Sequence, residues 1–214
     1  FIMIYPLLWM IGATFKSNAE IFSTVGLFTS NPTLQGYKDA MTNYGGTINI
    51  WTAMLHTYEY VIPKVIFTII SATITAYGFG RFEFKGKGFL FAVLMSTLFL
   101  PQVVLNVPQY ILFNKLGWVD SPIYLAIIAP TLFATDTYFV FMLIQFLHNV
   151  PKELEEAAIV DGCNSFQRFT QIILPISKPV MASCAIVNLN NVWNEFLFAN
   201  VFLENKKLMT IPLG

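Results

Sequence analysis

Long apolar runs separated by short polar stretches dominate the chain from Val61 onward and set its organisation. Val61 to Tyr77, Phe89 to Phe113, Ile123 to Leu147 and Val180 to Leu203 each read as a membrane-crossing helix. The first of these holds about seventeen residues, the lower limit for crossing a hydrocarbon core. Phe1 to Phe15 is a further apolar stretch, too short for a whole span and without the basic flank of a signal peptide. It reads as the outer part of a partial first span. The chain stops at Leu213-Gly214, where another span would begin, so the expectation is five spans, the first partial, of six in a longer protein. Lys16 to Tyr60 is polar and is predicted to carry short surface helices, for example around Leu34 to Tyr44. Nothing alternates with a period of two over ten-residue segments, which disfavours a membrane β-barrel. Helices satisfy every spanning backbone group internally. The predicted fold class is all-α, a polytopic membrane helical bundle, with residues 1–214 as a single transmembrane domain.

The polar interruptions orient the spans. Arg81, Lys85 and Lys87 against Glu83 make the Gly78 to Gly88 loop basic and place it in the cytoplasm. Lys64 is expected near the outer end of the second span, where its ammonium can snorkel. Pro101, Pro108 and Pro130 fall inside spans and are tolerated where neighbours or water satisfy the freed carbonyls. Asn114 to Pro122 reads as a short external turn. Lys206 and Lys207 then lie outside, against the charge rule, because the spacing of the spans agrees with the two earlier loops.

The longest charge-bearing stretch of the second half is residues 151–179, PKELEEAAIVDGCNSFQRFTQIILPISKP. Pro151 suits a first helical turn, where its missing N–H costs nothing. Lys152 to Val160 reads as a short helix with Glu153, Glu155 and Glu156 toward its positive end. Gly162 can take the left-handed conformation that ends a helix. Asn164 and Gln167 have the spacing of a capping box for a second helix, Ser165 to Ile173. Pro175 and Pro179 are expected to mark the return to the membrane.

Composition narrows the function. The chain is 56% hydrophobic and 11% charged, against about 25% charged in soluble domains. Its formal net charge is zero, which gives no basic field for nucleic acid. Cys163 and Cys184 suggest neither a disulfide framework nor a metal site. His56 and His148 stand apart, outside the predicted spans, so an intramembrane enzyme lacks its paired groups. No G-x-x-x-x-G-K-[ST] occurs, so no ATP hydrolysis is expected on this chain. Asp136 and Glu195 fall inside predicted spans, where a charge usually faces the bundle interior or a wet cavity. Asn188, Asn191 and Glu195 fall within roughly 60° on a helix, with Asn190 and Asn194 on the flank. This stripe reads either as a polar surface for a sugar, beside Trp193 and Phe196, or as hydrogen bonding to a neighbouring membrane subunit.

Glu156-Ala157-Ala158, followed by Gly162, Ile172 and Leu174-Pro175, resembles the full EAA loop of binding-protein-dependent ABC importer permeases, and Asp161 beside Gly162 fits it. AYGFGRFEFKGKGFLF, LPQVVLNVPQY and WNEFLF are similar to further segments of the same family. The resemblance is to its carbohydrate branch, the maltose-type inner-membrane permeases. It implies a type I ABC importer permease fold in the plasma or inner membrane, with residues 151–179 as a cytoplasmic coupling loop. It implies that Glu156, Ala157, Ala158, Asp161 and Gly162 contact separate ABC ATPase subunits, which bind the ATP, and that this chain needs no cofactor. The other implied partners are a second permease, an extracytoplasmic solute-binding protein and a sugar. The alternative is an ion-coupled secondary carrier using Asp136 and Glu195 for protons. The EAA loop argues against it, because a carrier has no ATPase to engage.

Overall fold

Helix follows helix along the chain, and prolines, glycines and capping side chains decide where each one stops. The computed structural model describes residues 3–29, 31–44 and 46–213. The elements in order are α1 (Tyr5–Ala13), α2 (Asn18–Ser23), α3 (Gln35–Asn43), α4 (Ile50–Arg81), α5 (Lys87–Thr97), α6 (Gln102–Lys115), α7 (Leu125–Ile128), α8 (Thr137–His148), α9 (Glu153–Val160), α10 (Ser165–Arg168), α11 (Leu174–Trp193) and α12 (Leu197–Phe202). The chain packs as two units. One comprises the chain up to His56 with the segment from Asn205 onward; the other is Thr57–Glu204.

In the first unit, Ser17 caps α2 by accepting from the Glu20 amide. The buried Lys16 ammonium donates to Thr24 Oγ1 at 3.0 Å and to the Gly26 carbonyl at 2.6 Å. Gly12 lets the Leu27 backbone lie directly on α1, since a Cβ there would collide with the Leu27 carbonyl oxygen. The predicted surface helix around Leu34 to Tyr44 is α3.

Several predicted boundaries move. The second span was expected at Val61, but α4 begins at Ile50, because Asn49 Oδ1 accepts from the Thr52 amide at 2.8 Å and starts the helix. His56 therefore lies within a helix rather than in the polar segment, and His148 is the last residue of α8. Gly78 and Gly80 also belong to α4, so the basic loop is shorter than predicted. It turns at Gly86, whose φ is +85°. There Lys87 binds Glu83 at 2.8 Å, and this hydrogen bond and charge hold the Glu83 carboxyl below the usual carboxylate range.

The apolar run 89–113 is divided into α5 and α6. Pro101 disfavours helical backbone at the residue before it and has no N–H of its own to give. The run 123–147 is divided too, into α7, a 3-10 turn at Ala129–Phe133 and α8, with Ala134 left-handed at φ +53° between the last two. Conversely, the expected break before Val180 is absent. Helix runs unbroken from Ser165 to Trp193 through a π turn at Phe169–Ile173. The wider turn lies directly before Pro175, where a normal turn would press the proline ring on the preceding carbonyl. Among the described residues, three stretches are long and apolar enough to cross a membrane: Ile50–Arg81, Leu125–His148 and Ser165–Trp193, with Lys87–Thr97 a shorter apolar helix. The five-span expectation is thus met in part. The predicted partial first span holds α1, and Phe1 lies outside the described residues.

Those three stretches build the core of the second unit. Ile69, Ala72, Ala76 and Tyr77 from α4 meet Phe139, Val140, Leu143, Ile144 and Leu147 from α8 and Cys184 from α11. Ala72, Ala76 and Gly80 repeat every fourth residue and form the small-residue ridge on which a membrane helix can seat closely. At Gly80 a Cβ would lie 3.4 Å from Leu147. Ile62, Ile66, Ile70 and Ile74 repeat every fourth residue on a separate, exposed face suited to lipid.

Candidate functional site

The loop 151–179 folds as a closed helix–turn–helix. Helix α9 ends in a Schellman motif: the Cys163 amide donates to Ala158 O at 2.9 Å and the Gly162 amide to Ile159 O at 3.0 Å. Gly162 takes φ +82°, as its position in the sequence predicted. The capping box forms as predicted, with the Gln167 amide donating to Asn164 Oδ1 at 2.9 Å and the Asn164 amide to Gln167 Oε1 at 2.8 Å. Backbone groups that a helix end usually leaves to water are closed within the turn, so it is stiff.

An ion pair that sequence reasoning missed holds this unit to the end of α4. Arg81 Nε lies 2.7 Å from Glu155 Oε1, with side chains 6% and 12% exposed. The contact is ionic and poorly aligned, so neither atom gains a well-directed hydrogen bond from it. Arg81 Nη2 also donates to the Val150 carbonyl at 2.8 Å, and the Tyr77 hydroxyl donates to Glu155 Oε2 at 3.2 Å. The sequence showed Arg81 only as a topology charge and Glu155 only as an N-terminal acid. Their pairing needs the fold.

The predicted coupling residues divide by exposure. Glu156, Ala157, Asp161 and Gly162 are exposed, whereas Ala158 is buried and packs inward. Ile159, Val160 and Phe166 are 53%, 88% and 73% exposed. The result is an outward tip with small and apolar side chains among acids.

The intramembrane candidates separate further. The stripe of Asn188, Asn191 and Glu195 is not continuous, because α11 ends at Trp193. Asn194 closes that end by donating its Nδ2 to Asn190 O at 2.8 Å, and Glu195 Oε1 accepts the Phe198 amide at the start of α12. Asn188 is buried, its Nδ2 without a hydrogen-bond partner, and Asn191 is exposed. Glu195 instead joins Asp136 and Lys64 around one cavity of about 580 Å³. Lys64 does not sit at an outer helix end as expected. It is near the middle of α4, with Nζ 5.2 Å from the Phe198 ring centre. Asp136 Oδ2 accepts the Thr68 hydroxyl at 2.9 Å. The signal for Lys64 was present: a lysine and two acids inside apolar runs are each expensive in lipid and favour a shared wet site.

Three helix interruptions converge on that cavity. Thr97 and Leu100 come from the α5–α6 break, Ala134 to Asp136 from the turn before α8, and Glu195 from the α11–α12 break. Non-helical backbone at membrane depth is tolerated where it lines protein or a water-filled cavity.

Residues 2–213 match the family described as binding-protein-dependent transport system inner membrane component. A probable ABC transporter permease protein, YurM, of Bacillus subtilis is 34% identical over 217 residues, covering 98% of this chain and 68% of that protein. The arabinooligosaccharides transport system permease protein AraQ of Halalkalibacterium halodurans is 31% identical, covering 100% of this chain and 75% of that protein. The fold is similar to a chain from the crystal structure of a bacterial ABC transporter involved in the import of the acidic polysaccharide alginate. The TM-score is 0.81 at 20% identity, over 99% of this chain and 72% of that one. From the match along nearly its whole length, this chain belongs to the family of binding-protein-dependent transport system inner membrane components.

Proposed function

We propose that this chain is the permease subunit of an ATP-driven importer for a sugar or oligosaccharide, coupled to a separate ATPase through the α9–α10 turn. The observation that carries the coupling is the tip itself. It stands on a stiff turn and exposes Ala157, Ile159 and Val160 outside the apolar spans, with Phe166 exposed at the very start of the third. Apolar side chains there have no lipid to meet and suit a cleft on another protein. Glu156 and Asp161 flank the tip and would pair with basic groups of that cleft. The Arg81–Glu155 pair passes movement of the tip to α4, which lines the cavity through Lys64. Closure of two ATPase subunits on ATP would then rock the spans between inward-open and outward-open states. A second permease and a solute-binding protein complete the assembly.

Sugar as the cargo rests on relatives such as AraQ and the trehalose/maltose transport system permease protein MalG of Thermococcus litoralis, 29% identical over 220 residues. The carrier reading based on Asp136 and Glu195 receives no support from the comparisons. The test is a photo-crosslinker at Val160 in the full-length protein, expressed in membranes with its neighbours. The expected product is an adduct with an ATPase subunit on the cytoplasmic side. Adducts with lipid alone would reject the coupling role.

A further inference from the structure

The coupling reading leaves the cavity around Lys64, Asp136 and Glu195 without an occupant. We propose that it is a saccharide subsite on this chain itself, taking a neutral or amino-bearing sugar unit and rejecting an acidic one; this rests on the importer reading above. Its volume of about 580 Å³ falls in the range of small-molecule sites. Three helix breaks meet there, and a packed structural core needs none of them. The walls combine apolar surface, including Leu94, Ile127 and Phe198, with charged and hydroxyl groups. Such walls fit the C–H faces and the hydroxyls of a sugar.

The charge balance sets the selectivity. Two acidic side chains and one lysine line the cavity, a formal excess of one acid over base. The three do not close into a direct ion pair among the described residues. Thr68 occupies Asp136 Oδ2 and the Phe198 amide occupies Glu195 Oε1. The other oxygen of each carboxylate is left to accept sugar hydroxyls, and the Lys64 ammonium is left to donate. A uronate would bring a second negative charge into a site only partly shielded by water, where like charges repel more strongly than in bulk water. An amino sugar would bring the opposite charge.

The test is equilibrium binding of radiolabelled disaccharides to the full-length complex, meaning this chain with its permease partner and ATPase in nanodiscs, without solute-binding protein. The probes are a neutral disaccharide, its amino-sugar counterpart and its hexuronate counterpart. The neutral and amino forms should bind, with the uronate weaker by about tenfold, a difference of about 1.4 kcal/mol. Asp136→Asn with Glu195→Gln should narrow that gap, and Leu94→Trp, which fills the cavity, should abolish binding. Equal binding of the uronate, binding indifferent to Leu94→Trp, or no binding of any probe would overturn the proposal. ATP hydrolysis stimulated by the loaded binding protein is read in the same preparations. If wild-type stimulation persists, only the subsite fails; if it is absent as well, the importer reading fails with it.

Discussion

Arg81→Met should release the α9 tip from α4 without unfolding the bundle. The substitution keeps an aliphatic stem but removes the charge opposite Glu155 and the donor to the Val150 carbonyl. Glu155 would then keep only the Tyr77 hydroxyl. Removing one partner of a fully buried pair costs about 3–5 kcal/mol. Here the side chains are 6% and 12% exposed and the Nε contact is poorly directed, so the cost falls just below that range. We expect about 2–3 kcal/mol. If opening of the tip governs exchange, that is about a 30- to 160-fold faster hydrogen exchange of the α9 amides. Glu155→Gln keeps the shape and some hydrogen bonding, and should cost about 1 kcal/mol, or about fivefold. The assay is hydrogen exchange with mass spectrometry on the full-length protein in nanodiscs, with α8 peptides as the internal reference. Unchanged α9 exchange in Arg81→Met would refute the anchoring role. An equal rise in α8 would show that the pair holds the whole bundle rather than the tip.

Cys163, half-buried after the turn, should react with a membrane-impermeant thiol reagent in inside-out vesicles and not in intact cells, while the buried Cys184 stays unlabelled in both; labelling of Cys163 from outside would reverse the topology. Glu195→Leu should impair transport or assembly, because it removes a cavity charge and the cap on α12; normal assembly and uptake would show that neither matters. Gly12→Ala should speed limited proteolysis of the segment around α1 and Leu27, because the added Cβ would collide with the Leu27 carbonyl oxygen; wild-type cleavage rates would mean that this backbone approach relaxes freely.

Local chemistry was legible in the sequence, and packing was not. Gly162, Asn164 and Gln167 announced the turn because capping depends on residue types at fixed short spacing. Apolar runs announced the helical membrane fold for the same reason. Boundaries failed where one side chain competes with hydropathy: Asn49 starts α4 early, Pro101 divides an apolar run, and a π turn lets helix continue through Pro175. Asn188, Asn191 and Glu195 seemed to share a face because the arithmetic assumed an unbroken helix, and α11 ends at Trp193. Lys64 and Arg81 were visible as charges. Asp136, which shares a cavity with Lys64, and Glu155, which pairs with Arg81, lie 72 and 74 residues away, so only tertiary structure could bring them together.

Coupling through the α9–α10 turn is tested most directly by ATP hydrolysis in reconstituted complexes carrying Ala157→Trp or Gly162→Val. Ala157 is exposed, so a bulky ring there leaves α9 intact, since helix propensities of ordinary residues differ by less than about 0.7 kcal/mol. It should block close approach of the ATPase. Gly162 has open space around it but φ +82°, so valine there strains the backbone and redirects the turn. Both variants should insert in the membrane, lose the stimulation of hydrolysis by the loaded binding protein, and lose uptake. Wild-type stimulation in both would contradict the account and leave residues 151–179 as a connecting loop.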